Sequence, residues 1–165
     1  QPLADAAPLI GQQAQIMPYQ SLVFPQPSQH EAQGQPVSRS GLLDHVTIEF
    51  AKQAAELLHS GAVYFFQIRA LGGATQDVAP EATAFAHRSA AFSVVAMGMT
   101  HTQIDREWDA LSHHFTGLYL SFETDRRPER LHDAFPPATF ERLRDLKRTC
   151  DPDNVFRDNF NIDPQ

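Results

Sequence analysis

Residues 139–164 read TFERLRDLKRTCDPDNVFRDNFNIDP. Phe140, Leu143, Leu146 and Cys150 recur three, three and four residues apart. That spacing lays one apolar stripe along a short helix. Glu141, Arg142, Arg144, Asp145, Lys147 and Arg148 take the other faces. Thr139 has the side chain of an N-cap, and Lys147 and Arg148 suit the negative end of the helix dipole. Asp151-Pro152 stops the helix, because the residue before proline is pushed out of the α region. Asp153-Asn154 then favours a turn through side-chain to backbone hydrogen bonds. Val155-Phe156 is expected to return to an apolar environment. Helix, turn and buried aromatic would clamp the end of a domain. Spacing alone supports no more than a C-terminal helix and tail docked on a core.

Working back towards the N-terminus, Leu118 to Phe122 reads as a short strand, and residues 123–137 as a charged surface excursion. Residues 101–115 form a helix, with Ile104, Trp108, Leu111 and Phe115 on one face. Residues 90–100 are small and apolar throughout. They predict a strand buried on both faces, hence central, with Gly98 permitting a bulge or a close approach. Gly72-Gly73 ends an earlier strand over 62–71. There Tyr64, Phe66, Ile68 and Ala70 share one face, and Val63, Phe65, Gln67, Arg69 and Leu71 the other. The second face mixes large apolar groups with two long polar ones, as a half-solvated edge or a pocket lining does. Residues 42–59 predict a helix closed by Ser60-Gly61. The order helix, strand, strand, helix, strand, helix gives an α+β class, with helices on one face of an antiparallel sheet.

The chain has 165 residues and a formal net charge of −7. An acidic surface is a poor partner for nucleic acid or an anionic membrane, and no apolar run approaches the roughly 20 residues that cross a bilayer. The start lacks the basic and apolar regions of a secretory leader, which favours the cytoplasm. One cysteine, Cys150, excludes an internal disulfide. The first forty residues hold six prolines and nine glutamines but only Asp5, Glu31 and Arg39 as charges. Their apolar clusters (Leu9-Ile10, Ile16 to Tyr19, Leu22 to Phe24) fit an ordered connection better than a free tail. Eleven Arg against two Lys, with abundant Ala, point to a GC-rich bacterial source.

With these elements placed, the exact residues become informative. Tyr119-Leu-Ser-Phe122, a helix ending Arg-Leu-x-x-Leu-Lys, and Asp-Pro-x-Asn-Val-Phe-Arg-x-Asn-x-Asn-Ile-x-Pro occur in that order. The run closely resembles the C-terminal segment of the berberine bridge enzyme-like FAD-linked oxidases, in the vanillyl-alcohol oxidase and PCMH-type group of flavoproteins. Met17-Pro18-Tyr19, Gly72-Gly73-Ala74, Thr83 to Arg88 and Trp108 extend the likeness over most of the chain. The resemblance implies an extended Pro/Gln-rich connection over 1–40, part of a substrate-binding α+β domain over 41–116, and a berberine-bridge segment over 117–165.

It also implies the chemistry. Such enzymes oxidise an alcohol, hemiacetal or amine carbon by hydride transfer to FAD, commonly with oxygen as acceptor. They bind FAD mainly through an N-terminal domain, often with a covalent His or Cys link there. No glycine-rich flavin segment is present here, and Cys150 lies on the C-terminal helix. The chain, which begins at Gln1, is accordingly expected to be the C-terminal third of such an enzyme and inactive alone. Its partners would be the N-terminal FAD-binding domain, a small-molecule substrate and, through an exposed sheet face, a second copy. Tyr119 aligns with the catalytic tyrosine of the family and, with Ser121, with its flavin contacts. The family usually has Asn where this chain has Ser121, a shorter group with one donor in place of two. A free tyrosine titrates at about 10, so a base needs a cation or hydrogen bonds to its phenolate. Arg69 is the nominated cation, and Gln67 and Arg69 the expected substrate-binding pair. His87-Arg88 is expected to be structural. His101 and Asp105 have helical ligand spacing but lack a third ligand, so no metal site is expected. The alternative from another class is a free-standing, non-catalytic α+β binding or dimerisation module.

Overall fold

The computed structural model describes residues 15–18 and 37–165. The chain divides into two units, Gln1–Gln33 and Gly34–Gln165. Residues 15–18 of the first are exposed and lack regular structure. The connection expected over 1–40, with Leu9, Ile10, Tyr19 and Leu22 to Phe24, otherwise lies almost wholly outside the described residues.

The second unit is built on a three-stranded antiparallel sheet. Strands β1 (Val37–Leu43), β2 (Phe65–Ala70) and β3 (Phe92–Gly98) lie in the order β1-β3-β2. Four α-helices accompany it among the described residues: α1 (Ile48–His59), α2 (His101–Leu111), α3 (Glu129–Ala134) and α4 (Pro137–Cys150). β3 is central, as its two-sided apolar composition requires, with Val94, Val95 and Ala96 all buried. Gly98 is a close approach: a Cβ there would lie 2.5 Å from the Ala62 carbonyl oxygen.

Strand β1 is a correction. The helix expected over 42–59 begins only at Ile48, capped by the Thr47 hydroxyl, which accepts from the Phe50 N–H at 3.1 Å. Val37 to Leu43 instead pairs with all seven residues of β3. Small polar residues at Ser38 and Ser40 hide the strand period, and non-local pairing decides the conformation.

Register sorts the two faces. Val37, Leu43, Phe92, Val94, Ala96, Phe66 and Ile68 share one. α1 and α2 close over that face, burying Phe50, Ala54, Leu57, Ile104, Trp108 and Leu111. Trp108 stacks on Phe115 at 4.9 Å between ring centroids. Each fully buried large side chain there contributes roughly 1.5–3 kcal/mol. The opposite face carries Ser38, Ser40, Leu42, Ser93, Val95, Met97, Phe65, Gln67 and Arg69. The α+β class with an antiparallel sheet therefore stands.

The strand expected at Leu118 to Phe122 is absent. A single bridge joins Leu42 to Gly117, and Leu120–Phe122 is a 3-10 turn. Side chains replace the ladder along the outer edge of β1. The Ser38 N–H donates to Thr124 Oγ1, the Ser40 N–H to Glu123 Oε2, and the Leu42 N–H to the Gly117 carbonyl. Every second donor of the edge is satisfied without a neighbouring strand.

The C-terminal segment departs from expectation in two ways. Helix α4 starts at Pro137, so Thr139 lies in its first turn and is not its N-cap. Proline is preorganised for that first position. Asp151 ends the helix as predicted, but Val155 and Phe156 do not return to an apolar environment. They are 71% and 82% exposed. The cause is polar: the Asp151 carboxylate accepts the N–H groups of Val155 (2.8 Å) and Phe156 (3.0 Å). Lys147 pairs with Asp151 and donates to the Phe156 carbonyl at 2.5 Å. The apolar stripe of α4 exists, yet none of its residues is fully buried and Leu146 is exposed.

Candidate functional site

The helix-free face of the sheet brings three of the expected site residues together. In register, Gln67 lies across Val95 from Ser40, and Arg69 across Ser93 from Leu42. Ser38 and Ser40 hold the 3-10 turn above this face. The Ser38 hydroxyl donates to the Phe122 carbonyl at 2.7 Å, and the Ser40 hydroxyl accepts from the Tyr119 N–H at 3.1 Å. Tyr119 is thereby set, 41% exposed, beside Phe85 (ring centroids 6.0 Å) and Phe122 (5.8 Å). The Arg69 guanidinium lies 5.0 Å from the Phe122 ring and donates to Gln67 Oε1 at 2.5 Å. At the other end the Arg88 guanidinium lies 5.2 Å from the Phe85 ring. The result is a row of two guanidiniums bracketing three aromatic rings. No hydrogen bond joins Arg69 to Tyr119 among the described residues, and Phe122 is their common neighbour. His87 packs against Gly117. Its ring fills the space a Cβ at Gly117 would take, and its Nε2 lies 3.1 Å from the Ala134 carbonyl.

Ser121 leaves the turn elsewhere. It lines an open cleft of about 770 Å³ with Leu120, Arg126, Asn159 and Phe160, which Tyr119 does not line. The expected pairing of Tyr119 with Ser121 on one surface is not what the turn produces. A 3-10 turn separates neighbouring side chains by about a third of a revolution, whereas a strand would have returned residues 119 and 121 to one face.

A buried charge, Arg39, was missed in the sequence. Arg39 is 1% exposed. Its Nε donates to Asp105 Oδ1 at 2.9 Å, and its Nη1 to the Ser38 carbonyl (2.7 Å), Thr124 Oγ1 (3.0 Å) and Glu123 Oε1 (3.3 Å). His101 Nδ1 lies 3.1 Å from Nη2. His101 and Asp105, the pair with ligand spacing, thus serve Arg39. Among the described residues no group of three or more His, Cys, Asp or Glu is placed to hold a metal. Glu123 also accepts the N–H groups of Thr124 and Asp125, at 2.8 and 2.7 Å. Burial pushes its carboxyl above the ordinary value, against those N–H donors and Arg39. Burial also pushes Asp125 up, but hydrogen bonds from Arg127 and the nearby guanidiniums outweigh it and leave the carboxyl below its usual range. Arg127 is held more firmly protonated than usual by a two-pronged bond to Asp109, then by Asp125. These pairs tie the turn carrying Tyr119 to α2. The available signal was a lone arginine on an otherwise uncharged apolar stretch.

Comparison with known proteins gives these features a context. Residues 121–163 match the family described as berberine and berberine like. The FAD-linked oxidoreductase sorD of Penicillium rubens is 27% identical over 134 residues, covering 73% of this chain and 28% of its own length. Two solved structures share the fold. Aclacinomycin oxidoreductase aligns with a TM-score of 0.58 at 18% identity, over 79% of this chain and 33% of its own. The 6-hydroxy-D-nicotine oxidase of Arthrobacter nicotinovorans aligns with a TM-score of 0.56 at 20% identity, over 84% and 34%. The chain therefore spans about a third or less of each of these relatives. No helix among the described residues is long and apolar enough to cross a membrane.

The Ser121 hydroxyl, Asn159 amide and Arg126 guanidinium, the last two joined at 3.2 Å, are donors of the kind the carbonyl edge of an isoalloxazine accepts from, and the Glu123 and Asp125 carboxylates line the same cleft. For the diphosphate there is no glycine-rich turn leading into an α-helix among the described residues, the arrangement that cradles such a group.

Proposed function

We propose that this chain is the C-terminal portion of a FAD-dependent oxidoreductase that oxidises an alcohol, hemiacetal or amine carbon, with oxygen as the acceptor. Residues 41–116 would belong to its substrate domain and 117–165 to the segment that returns to the flavin domain. The observation that carries this reading is the placement of Tyr119. It stands half-exposed on the helix-free face, its backbone fixed by Ser40, two residues ahead of the berberine-like match.

FAD, when bound, supplies the two-electron acceptor. Tyr119 Oη takes the hydroxyl proton as the substrate carbon becomes a carbonyl. The Arg69 guanidinium lies one ring away, over Phe122, which itself lies 5.8 Å from the Tyr119 ring. Gln67 orients Arg69 and offers its own amide to the substrate. Ser121, Arg126 and Asn159 would hold the flavin edge in the cleft.

An N-terminal domain would bind most of the FAD and dock on the exposed apolar groups of the C-terminal segment, Leu146, Val155 and Phe156. The Asp151 and Lys147 contacts hold the last two outward in advance, which lowers the ordering cost of docking. Without that domain the chain is inactive. A second copy is the other partner proposed, and the exposed Tyr64, Phe65 and Ile68 around edge strand β2 favour it.

The test is Tyr119→Phe in the longer protein carrying this chain, with flavin reduction followed anaerobically after substrate mixing. Loss of a general base slows reduction by about 10²–10⁴-fold, with flavin content unchanged. A rate within about twofold of wild type excludes Tyr119 as the base.

A further inference from the structure

We infer that the substrate surface is selective for planar aromatic molecules carrying an acidic oxygen, a carboxylate or phenolate, and that Arg69 and Arg88 determine this selectivity. The inference rests on the reading of this face as the substrate site and adds the class of molecule it takes.

The row Arg69, Phe122, Tyr119, Phe85, Arg88 is continuous, with successive separations of 5.0, 5.8, 6.0 and 5.2 Å. Rings in such a row offer faces and edges to a flat π-system. A saturated sugar ring or a compact aliphatic alcohol uses little of that surface. The two guanidiniums carry the charge information. Arg69 is exposed and makes one side-chain hydrogen bond, to the neutral Gln67, so its charge is not neutralised by any carboxylate among the described residues. Arg88 is likewise bound by neutral oxygens only, the Thr75 carbonyl at 3.3 Å and the Thr83 hydroxyl at 2.5 Å. Six other arginines (Arg39, Arg106, Arg127, Arg130, Arg144 and Arg148) pair with carboxylates, whereas Arg126 and Arg142, outside this row, are also bound by neutral oxygens. Two carboxylate-free guanidiniums at the ends of one aromatic row, in a chain of net charge −7, form a local anion site in an otherwise repulsive field.

The test is equilibrium binding of three probes to this chain: 2-naphthoate, its neutral counterpart 2-naphthalenemethanol, and the non-aromatic anion cyclohexanecarboxylate. 2-Naphthoate is expected to bind about tenfold more tightly than either of the others. Arg69→Met and Arg88→Met are each expected to weaken it about three- to tenfold while leaving 2-naphthalenemethanol unchanged. Equal affinity for the three probes, or no binding of 2-naphthoate, overturns the inference. So does full retention of 2-naphthoate in both correctly folded variants. If a variant fails to fold, judged by the near-ultraviolet dichroism of Trp108, the ranking of the three probes on the wild-type chain decides alone. Flavin reduction by the Tyr119→Phe protein tests the base, and probe binding to the wild-type chain tests the substrate class. A failed base assignment therefore appears only in flavin reduction, and a failed substrate class only in binding.

Discussion

Replacing Glu123 by Gln removes one charge and no volume from the most buried ion pair. The Glu123 side chain is 0% exposed and that of Arg39 1%. Three donors converge on Glu123 Oε1 (Thr124 N–H, Asp125 N–H and Arg39 Nη1), and one, the Ser40 N–H, on Oε2. A glutamine keeps most of these bonds by placing its oxygen at the Oε1 position. Its NH₂ then faces the Ser40 N–H, donor against donor, and a buried donor left unsatisfied costs about 1–3 kcal/mol. Burial already disfavours the charged form of Glu123, and Asp105 still faces Arg39, so neutralising Glu123 costs less than breaking a fully ionised buried pair. We therefore expect a loss of about 1–3 kcal/mol, read by urea unfolding through the fluorescence of Trp108, the single and buried tryptophan. Arg39→Met should lose a similar amount. The double variant should fall short of the sum of the singles by more than about 1 kcal/mol, because both remove one shared interaction. A Glu123→Gln loss below about 0.5 kcal/mol, the range of ordinary surface changes, refutes the reasoning, as does strict additivity in the cycle.

The same carboxylate gives stability an unusual pH slope. Burial raises Glu123 above 4.5 in the folded state, so the fold holds its proton more tightly than the unfolded chain does. Its contribution to stability is then lost as pH rises from 4.5 through the folded value; urea midpoints across that window should fall for wild type and not for Glu123→Gln. Asp125, held below 3.8, acts oppositely, its contribution being lost as pH falls below 3.8, and Asp125→Asn should weaken that acid limb. Gly98→Ala drives a Cβ to 2.5 Å from the Ala62 carbonyl oxygen, a backbone atom that cannot swing aside, and should cost about 1–3 kcal/mol in the same assay. Asp151→Ala removes the acceptor for the Val155 and Phe156 N–H groups, so amide exchange there should accelerate about tenfold or more while that of β3 stays unchanged; no acceleration would show that Asp151 does not hold the turn.

How much was legible can be judged element by element. β3 and α2 were readable because their apolar patterns are uninterrupted and match what they bury: Val94 and Val95 in the sheet, Ile104, Trp108 and Leu111 on the helix. The faces of β2 were readable because period two holds through Gln67 and Arg69. β1 was not. Val37-Ser-Arg-Ser-Gly-Leu-Leu has serines where an apolar alternation was sought, and those serines make sense only once the turn they hold is seen. Arg39 looked like a stray charge, since its partners Asp105 and Glu123 lie 66 and 84 residues away.

By itself the sequence determined the α+β class, the central strand, the helix end at Asp151 and the resemblance of the C-terminal segment to the berberine-like family. All of these follow from local spacing or from residues close together in the chain. The tertiary structure alone decided that β1 exists, that Leu120–Phe122 is a turn and that Tyr119 and Ser121 part company. It also decided that Val155 and Phe156 face outward. The first three of those outcomes depend on where a buried or part-buried N–H or hydroxyl finds its partner in a distant part of the chain. The cost when such a partner is missing, about 1–3 kcal/mol per buried group, exceeds any local preference among turn, strand and helix. The last depends on the Asp151 carboxylate, four and five residues before the N–H groups it holds.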